Sequence, residues 1–340
     1  MRISNATPLL VGPFASRHPQ SNAPAMTVAL KASFRLAHGR VPTPLEEPLP
    51  FTGDLYRDDD PEGECLAASD FAWWKPQADL LLKGTCHAPG GLPTGVCPVR
   101  FVVGDWTRTL LAFGPRNWKA GAAAPEVAEP FVRLPLCWTE SFGGAGFADN
   151  PVGRGFGGEI LPRLEDERRP MRQRADTPAP AAFGPVNRAW PLRRRKTGSY
   201  GGDYVKARWP GLPLDFDWSY FNAAPAEQQV PYLKGDEKLI VQNVHPDEPI
   251  VGVRLPGWRP RCLVRQVLGG LRRGDCEVVL KELPLALDTL AVDMDAGTLS
   301  LVWRGLTEVA DEELDDVLEI FVMVEALDAP RPRRKSSRPS

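Results

Sequence analysis

The chain has 340 residues, room for one large or two modest domains at ~100–200 residues each. Hydrophobic residues at 43% and charged ones at 25% suffice for a core, and the net charge of −2 lacks the basic excess of a dedicated nucleic-acid binder. Pro 36 and Gly 31 exclude an all-α fold, because each Pro removes a helix donor and each Gly adds backbone entropy.

The N-terminus carries one positive charge at Arg2, and Pro8 and Pro13 break its apolar stretch, which argues against a secretory signal. In Thr27–Leu36, residues Val28, Leu30, Ala32, Phe34 and Leu36 share one face while Lys31, Ser33 and Arg35 take the other. That is the period-2 pattern of a half-buried strand. Val99, Phe101 and Val103 alternate into Gly104-Asp105, and Trp106–Phe113 returns, as in a type II′ hairpin. Residues 114–245 hold more than half of the aromatic residues, with many Gly and Pro and little periodicity. Rings drive collapse, so this reads as ordered loop structure laid over sheets, the usual place for a binding surface. Ala120–Pro130 and Arg163–Pro180 read as exceptions, a link and a charged stretch.

Further on, Cys276–Lys281 and Leu318–Val324 read as strands, and Leu290, Val292 and Met294 turn through Asp295-Ala296-Gly297 into Leu299, Leu301 and Trp303. The seven carboxylates between Glu308 and Glu319 read as a solvated turn of helix. The fold class is mainly β: an antiparallel β-sandwich-like core, a large ordered loop-rich central region and few short helices. One β-rich domain spans 1–328, with strands in 1–113, the aromatic, Gly- and Pro-rich region in 114–245 and strands in 246–328. Residues 329–340 form a disordered basic tail. Two β domains flanking the loop region are the alternative.

The four His (His18, His38, His87, His245) occur in no zinc-hydrolase spacing, and no G-x-S-x-G elbow or G-x-x-x-x-G-K loop exists. No catalytic, cofactor-binding or metal-ligating set emerges, and no small-molecule substrate. Cys86-His87 is a poor dyad, because neighbours on a strand point to opposite faces. The six Cys form no C-x-x-C pair and read as reduced thiols, which places the protein in the cytoplasm. Gly153–Gly158 resembles a phosphate cradle but lacks the flanking strand and helix that the mechanism requires. The basic string Arg188, Arg193, Arg194, Arg195 and Lys196 around Trp190 fits either phosphate contacts with a stacking ring or docking of an acidic protein.

Longer strings carry a resemblance. Lys75-Pro76-Gln77-Ala78-Asp79 leads to Gly84 and to Ala88-Pro89-Gly90-Gly91. Phe142-Gly143-Gly144 is followed by Asn150-Pro151-Val152-Gly153-Arg154-Gly155-Phe156. Phe183-Gly184-Pro185 and Phe221-Asn222-Ala223-Ala224-Pro225 complete the set. Together, from the N-terminus to about Trp303, they resemble domain of unknown function family 2169, the type VI secretion adaptor or chaperone family. The resemblance implies a cytoplasmic, non-catalytic protein that binds a secretion effector and helps load it onto the spike or its PAAR-repeat tip, with no membrane partner. An enzyme of the same locus and a nucleic-acid binder using Arg193–Lys196 are the alternatives. The motif residues read as turn-forming scaffold. The partner-binding candidates are Trp190, Arg193, Arg194, Arg195, Lys196, Trp209, Trp218 and Tyr220. Replacing Arg193, Arg194 and Arg195 together is expected to weaken binding to an acidic partner and to leave the fold intact.

Overall fold

A computed structural model describes residues 1–119, 124–268, 277–311 and 313–326. The expected tail at 329–340, Cys276 and part of the Ala120–Pro130 link lie outside these residues. The described chain is mainly β, with three large sheets.

The largest sheet is built on Pro24–Arg35, which pairs antiparallel with Leu10–Arg17 on one side and Thr298–Glu308 on the other. Next come Ala286–Asp293 and Ala78–Lys83. The last pair runs parallel, an exception to an antiparallel sheet. The second sheet orders Leu164–Asp166, Trp106–Phe113, Val96–Val103, Lys238–Gln242 and Ile250–Arg254, all antiparallel. The third holds Trp258–Leu268 between Glu277–Leu283 and Val317–Ala326, with Arg2–Asn5 added in parallel to the last.

Alternation along these strands feeds one apolar cluster. Leu30 and Phe34, Leu80 and Leu82, Leu299 and Leu301 come from the first sheet, Val99, Phe101 and Leu110 from the second, and Val264 and Ile320 from the third. Burying a Leu or Phe fully contributes about 1.5–3 kcal/mol each, and residues from both ends of the chain share that term.

The hairpin at Gly104-Asp105 forms in the expected register, Val103 opposite Trp106, with Gly104 at φ 57°. The second hairpin forms with a longer loop: Asp293 pairs with Thr298, so Met294 joins the turn. Pro24–Arg35 departs from the half-buried reading. Lys31 and Ser33 are buried as well, because residues 49–70 cover the second face of the sheet. Arg163–Pro180 is also more ordered than expected, since Leu164–Asp166 adds to the second sheet and Glu165 is buried against Arg116.

The acidic run begins and ends in strands, at Glu308 and Glu319, and its described residues between them form bends and turns rather than helix. Asp316 is buried there, accepting from Gln266 Nε2 at 2.7 Å and from Ala310 N at 3.0 Å. Gly153–Gly158 is no cradle, because Arg154–Gly155 pairs in parallel with Phe142–Gly143. Between residues 114 and 245 the remaining elements are strands of two or three residues, short 3-10 turns and two four-residue helices, Pro191–Arg194 and Tyr204–Ala207. No helix among the described residues is long and apolar enough to cross a membrane.

Candidate functional site

The central loops are held to the sheets by a few buried polar side chains. Asp79, fully buried in the strand Ala78–Lys83, is one hub. Lys75 Nζ lies 2.7 Å from its Oδ2 and also donates to Thr289 Oγ1 at 2.8 Å. Asn222 Nδ2, Ala223 N and Ala224 N donate to the same carboxylate at 2.9, 2.9 and 3.2 Å. Burial pushes the Asp79 carboxyl up, but the Lys75 charge and these donors outweigh it and hold the group below its ordinary range. Two motifs 140 residues apart in sequence thus meet as one clamp: Lys75-Pro76 with Asp79, and Phe221-Asn222 with its Ala-Ala.

Asn150 is the second hub. Its Nδ2 donates to the carbonyls of Trp138 and Phe142, both at 2.9 Å. The backbone closes so tightly round it that a Cβ on Gly143 would lie 2.1 Å from Asn150 O, and one on Gly153 would lie 2.4 Å from Asn150 Nδ2. Gly144 and Gly155 complete this crossing, and Pro151 begins the turn. Arg154 ties it down through Thr139 O at 3.0 Å and Glu140 Oε1 at 2.8 Å. Phe156 packs on Phe147, with centroids 5.1 Å apart.

Phe183 is buried against Phe101, and Gly184 and Pro185 follow over Trp138, whose Nε1 donates to Pro185 O at 2.9 Å. Gly84 permits the close approach of Val244, and Gly90 and Gly91 form the turn after Pro89.

The basic string is divided by burial. Trp190 is only 2% exposed, set edge-on to Trp138 with its Nε1 donating to Glu62 O at 2.9 Å. Arg193 is 6% exposed and donates to Val186 O at 2.9 Å and twice to Tyr220 O, at 3.1 and 2.8 Å. These two candidates are corrected: they are interior, because backbone carbonyls far along the chain need their donors. The expectation that replacing Arg193 with Arg194 and Arg195 spares the fold fails with them. Lys196 is half-buried, donating to Ser219 O at 3.4 Å, and burial lowers its pKa. Arg194 and Arg195 are exposed, Arg195 paired with Asp149 at 2.8 Å.

Beside these two cations, large apolar groups reach the surface. Trp209 is 68% exposed, in an edge-on chain of rings with Tyr204 and Tyr200 at 6.5 and 4.8 Å. Val205 and Leu214 stand out at 65% and 82%. Ser199 binds Asp215 through N and Oγ, which brings Tyr200 beside the Leu214 segment. Trp218 and Tyr220 are half-buried and form the inner rank, packing on Phe216. Arg194, Lys206 and Arg208 flank the patch in sequence. The sequence reading missed Tyr200, Val205 and Leu214 as contact residues. For Leu214 the available signal was a large apolar residue set between the turn-formers Pro213 and Asp215.

Burial pushes the Cys65 and Cys262 thiols up to about 12. A hydrogen bond with Cys97, then burial, raises Cys86, so the Cys86 thiol beside His87 stays protonated. No group of three His, Cys, Asp or Glu suited to a metal occurs among the described residues.

A family model described as "Uncharacterized protein conserved in bacteria (DUF2169)" matches residues 21–304, a span that contains the central strand, the loop layer and both hubs. No curated protein and no solved structure matches the chain.

Proposed function

Because the chain belongs to this family of uncharacterized bacterial proteins, we propose that it is a non-catalytic adaptor that binds a type VI secretion effector in the cytoplasm and helps load it onto the spike or its PAAR tip. The observation that carries the reading is the Tyr200, Val205, Trp209 and Leu214 patch. Exposed Trp and Tyr rimmed by Arg and Lys are the composition of binding hot spots. The rings stand on a loop closed by the Ser199–Asp215 bonds and by Tyr204 OH donating to Gly211 O at 2.7 Å, so less conformational entropy is lost when a partner docks. Exposed Arg194 and Lys206 nearby would meet acidic groups of the partner, and exposed Asp203 and Asp215 basic ones.

The test is an affinity pull-down of the tagged protein from its native bacterium, read by mass spectrometry, beside a Trp209→Ala/Leu214→Ser variant. Recovery of a toxin, with or without spike or tip protein, and its loss with the variant are the expected results. Absence of such a partner while the effector is expressed overturns the reading.

A further inference from the structure

On the face of the largest sheet turned away from the second sheet, residues 49–70 form a roof that does not settle onto the strands. A cavity of about 420 Å³ lies between them, within the roughly 300–1,000 Å³ of ordinary ligand sites. Its floor lies on a row in register across four strands, Leu81 beside Ala291, Ala291 opposite Ser300 and Ser300 opposite Ser33, of which the first three line the cavity. The small side chains of Ala291 and Ser300 at the centre of that row leave the space. The roof is tied at one side. Lys31 Nζ donates to Pro50 O at 2.9 Å and to Asp70 Oδ2 at 2.7 Å, and Leu49 N donates to Ser33 Oγ at 3.1 Å. Protein interiors close most gaps larger than a water molecule, so a space held open by specific ties calls for an occupant.

The lining sets the chemistry of that occupant. Each of the five lining cations faces a carboxylate: Lys31 with Asp70, Arg57 with Glu64, Lys75 with Asp79, Lys83 with Asp293, and Arg304 with Asp288. An anionic ligand would lose its hydration and find no free cation, and the lining carboxylate without a cation, Asp295, is exposed to solvent. A donor is left over on the floor. Ser300 Oγ, half-buried in the lining, makes no hydrogen bond among the described residues, whereas Arg304 Nε, also unpartnered, is closed off from the cavity. A polar group covered by a ligand is costly to leave unmet. The rest of the wall is largely apolar, with Leu55, Ala67 and Leu136 among its members.

We propose that this cavity binds a small, uncharged, mainly apolar molecule that presents a carbonyl-type acceptor to the Ser300 hydroxyl. The site is separate from the ring patch and does not depend on the adaptor reading.

The experiment titrates the full chain with prodan, a neutral naphthalene ketone, and follows its emission. Two further dyes serve as comparisons: N-phenyl-1-naphthylamine, neutral without a carbonyl, and the anionic 1-anilinonaphthalene-8-sulfonate. Saturable binding of prodan at one site is expected, at least fivefold tighter than the amine and tenfold tighter than the sulfonate. Ala291→Leu and Ser300→Leu, each filling the floor, weaken prodan at least tenfold, and Trp209→Ala leaves it unchanged. In the unmodified protein, prodan slows hydrogen exchange in residues 64–70 and 298–304 and leaves 200–214 as they were. Absence of that protection, or wild-type affinity in a folded Ala291→Leu or Ser300→Leu variant, overturns the site. Equal binding of the sulfonate overturns its neutral character, and equal binding of the amine overturns the acceptor assigned to Ser300.

Discussion

The sheets and the loop layer are ordered by different physics. In the sheets, period-2 rows such as Leu30 and Phe34 or Val99 and Phe101 enter one apolar cluster, and the backbone satisfies itself through ladders. The loops between 114 and 245 have few ladders, so their carbonyls and amides need other partners. Buried polar side chains supply them: Asp79, Asn150 and Arg193, together with Asn187, which donates to Pro61 O and Gly63 O at 2.9 and 2.7 Å. Gln228 adds bonds to Leu80 O and Phe183 O at 2.6 and 2.9 Å. Each such side chain closes two or three orphaned backbone groups, so a handful of residues organises more than a hundred. The lesson is that loss of one of them is felt locally and steeply, whereas loss of an apolar residue is shared.

That contrast can be broken by paired substitutions. Phe101→Ala and Asp79→Ala should each cost about 3–5 kcal/mol in urea unfolding, the first by leaving a cavity and the second by stranding Lys75. Hydrogen exchange separates them, with Phe101→Ala raising exchange across the sheets and Asp79→Ala concentrating it near residues 218–230. The same pattern from both variants would remove the distinction. Arg193→Ala should cost about 1.5–3 kcal/mol, because the carbonyls of Val186 and Tyr220 lose a charged donor. A change under about 0.5 kcal/mol would return Arg193 to the surface reading.

Asp79 adds a pH arm. Its folded-state pKa lies below the unfolded value of about 3.9, so its contribution is complete above that value and is lost as pH falls through the folded one. The stability gap between wild type and Asp79→Asn should therefore be constant at neutral pH and shrink below about pH 4. A gap that widens on acidification would give the shift the opposite sign. The smallest effect belongs to Arg194→Ala/Arg195→Ala, which should hold stability within about 0.5 kcal/mol while weakening partner capture. Unchanged capture would confine recognition to the apolar rings.

The strands were legible in the sequence where alternation is local: Val28 to Phe34 and the Gly104 hairpin needed no distant information. The second face of Pro24–Arg35 was not. Lys31 and Ser33 have the polarity of a solvent face, and the segment that buries them is acidic and aperiodic. Arg193 was misread for a related reason. In the run Arg193-Arg194-Arg195 nothing local distinguishes the one side chain turned inward, since its acceptors include a carbonyl 27 residues away. The clamp motifs were legible as a set, Lys75 to Asp79 with Asn222, but their geometry was not, because which oxygen meets which amide is decided by tertiary closure.

The pairing of Pro24–Arg35 with Thr298–Glu308 has a consequence for synthesis. The central strand of the largest sheet emerges from the ribosome early and waits for a neighbour more than 260 residues downstream. At about 5–20 residues per second that wait lasts on the order of tens of seconds. Throughout it, the row Val28, Leu30, Ala32 and Phe34 has its nearest hairpin partner, Leu10–Arg17, on one edge and an open edge on the other. An apolar strand with an unpaired edge is a template for self-association. Nascent chains stalled before Thr298 should therefore aggregate or recruit holding factors, and those released beyond Glu308 should not.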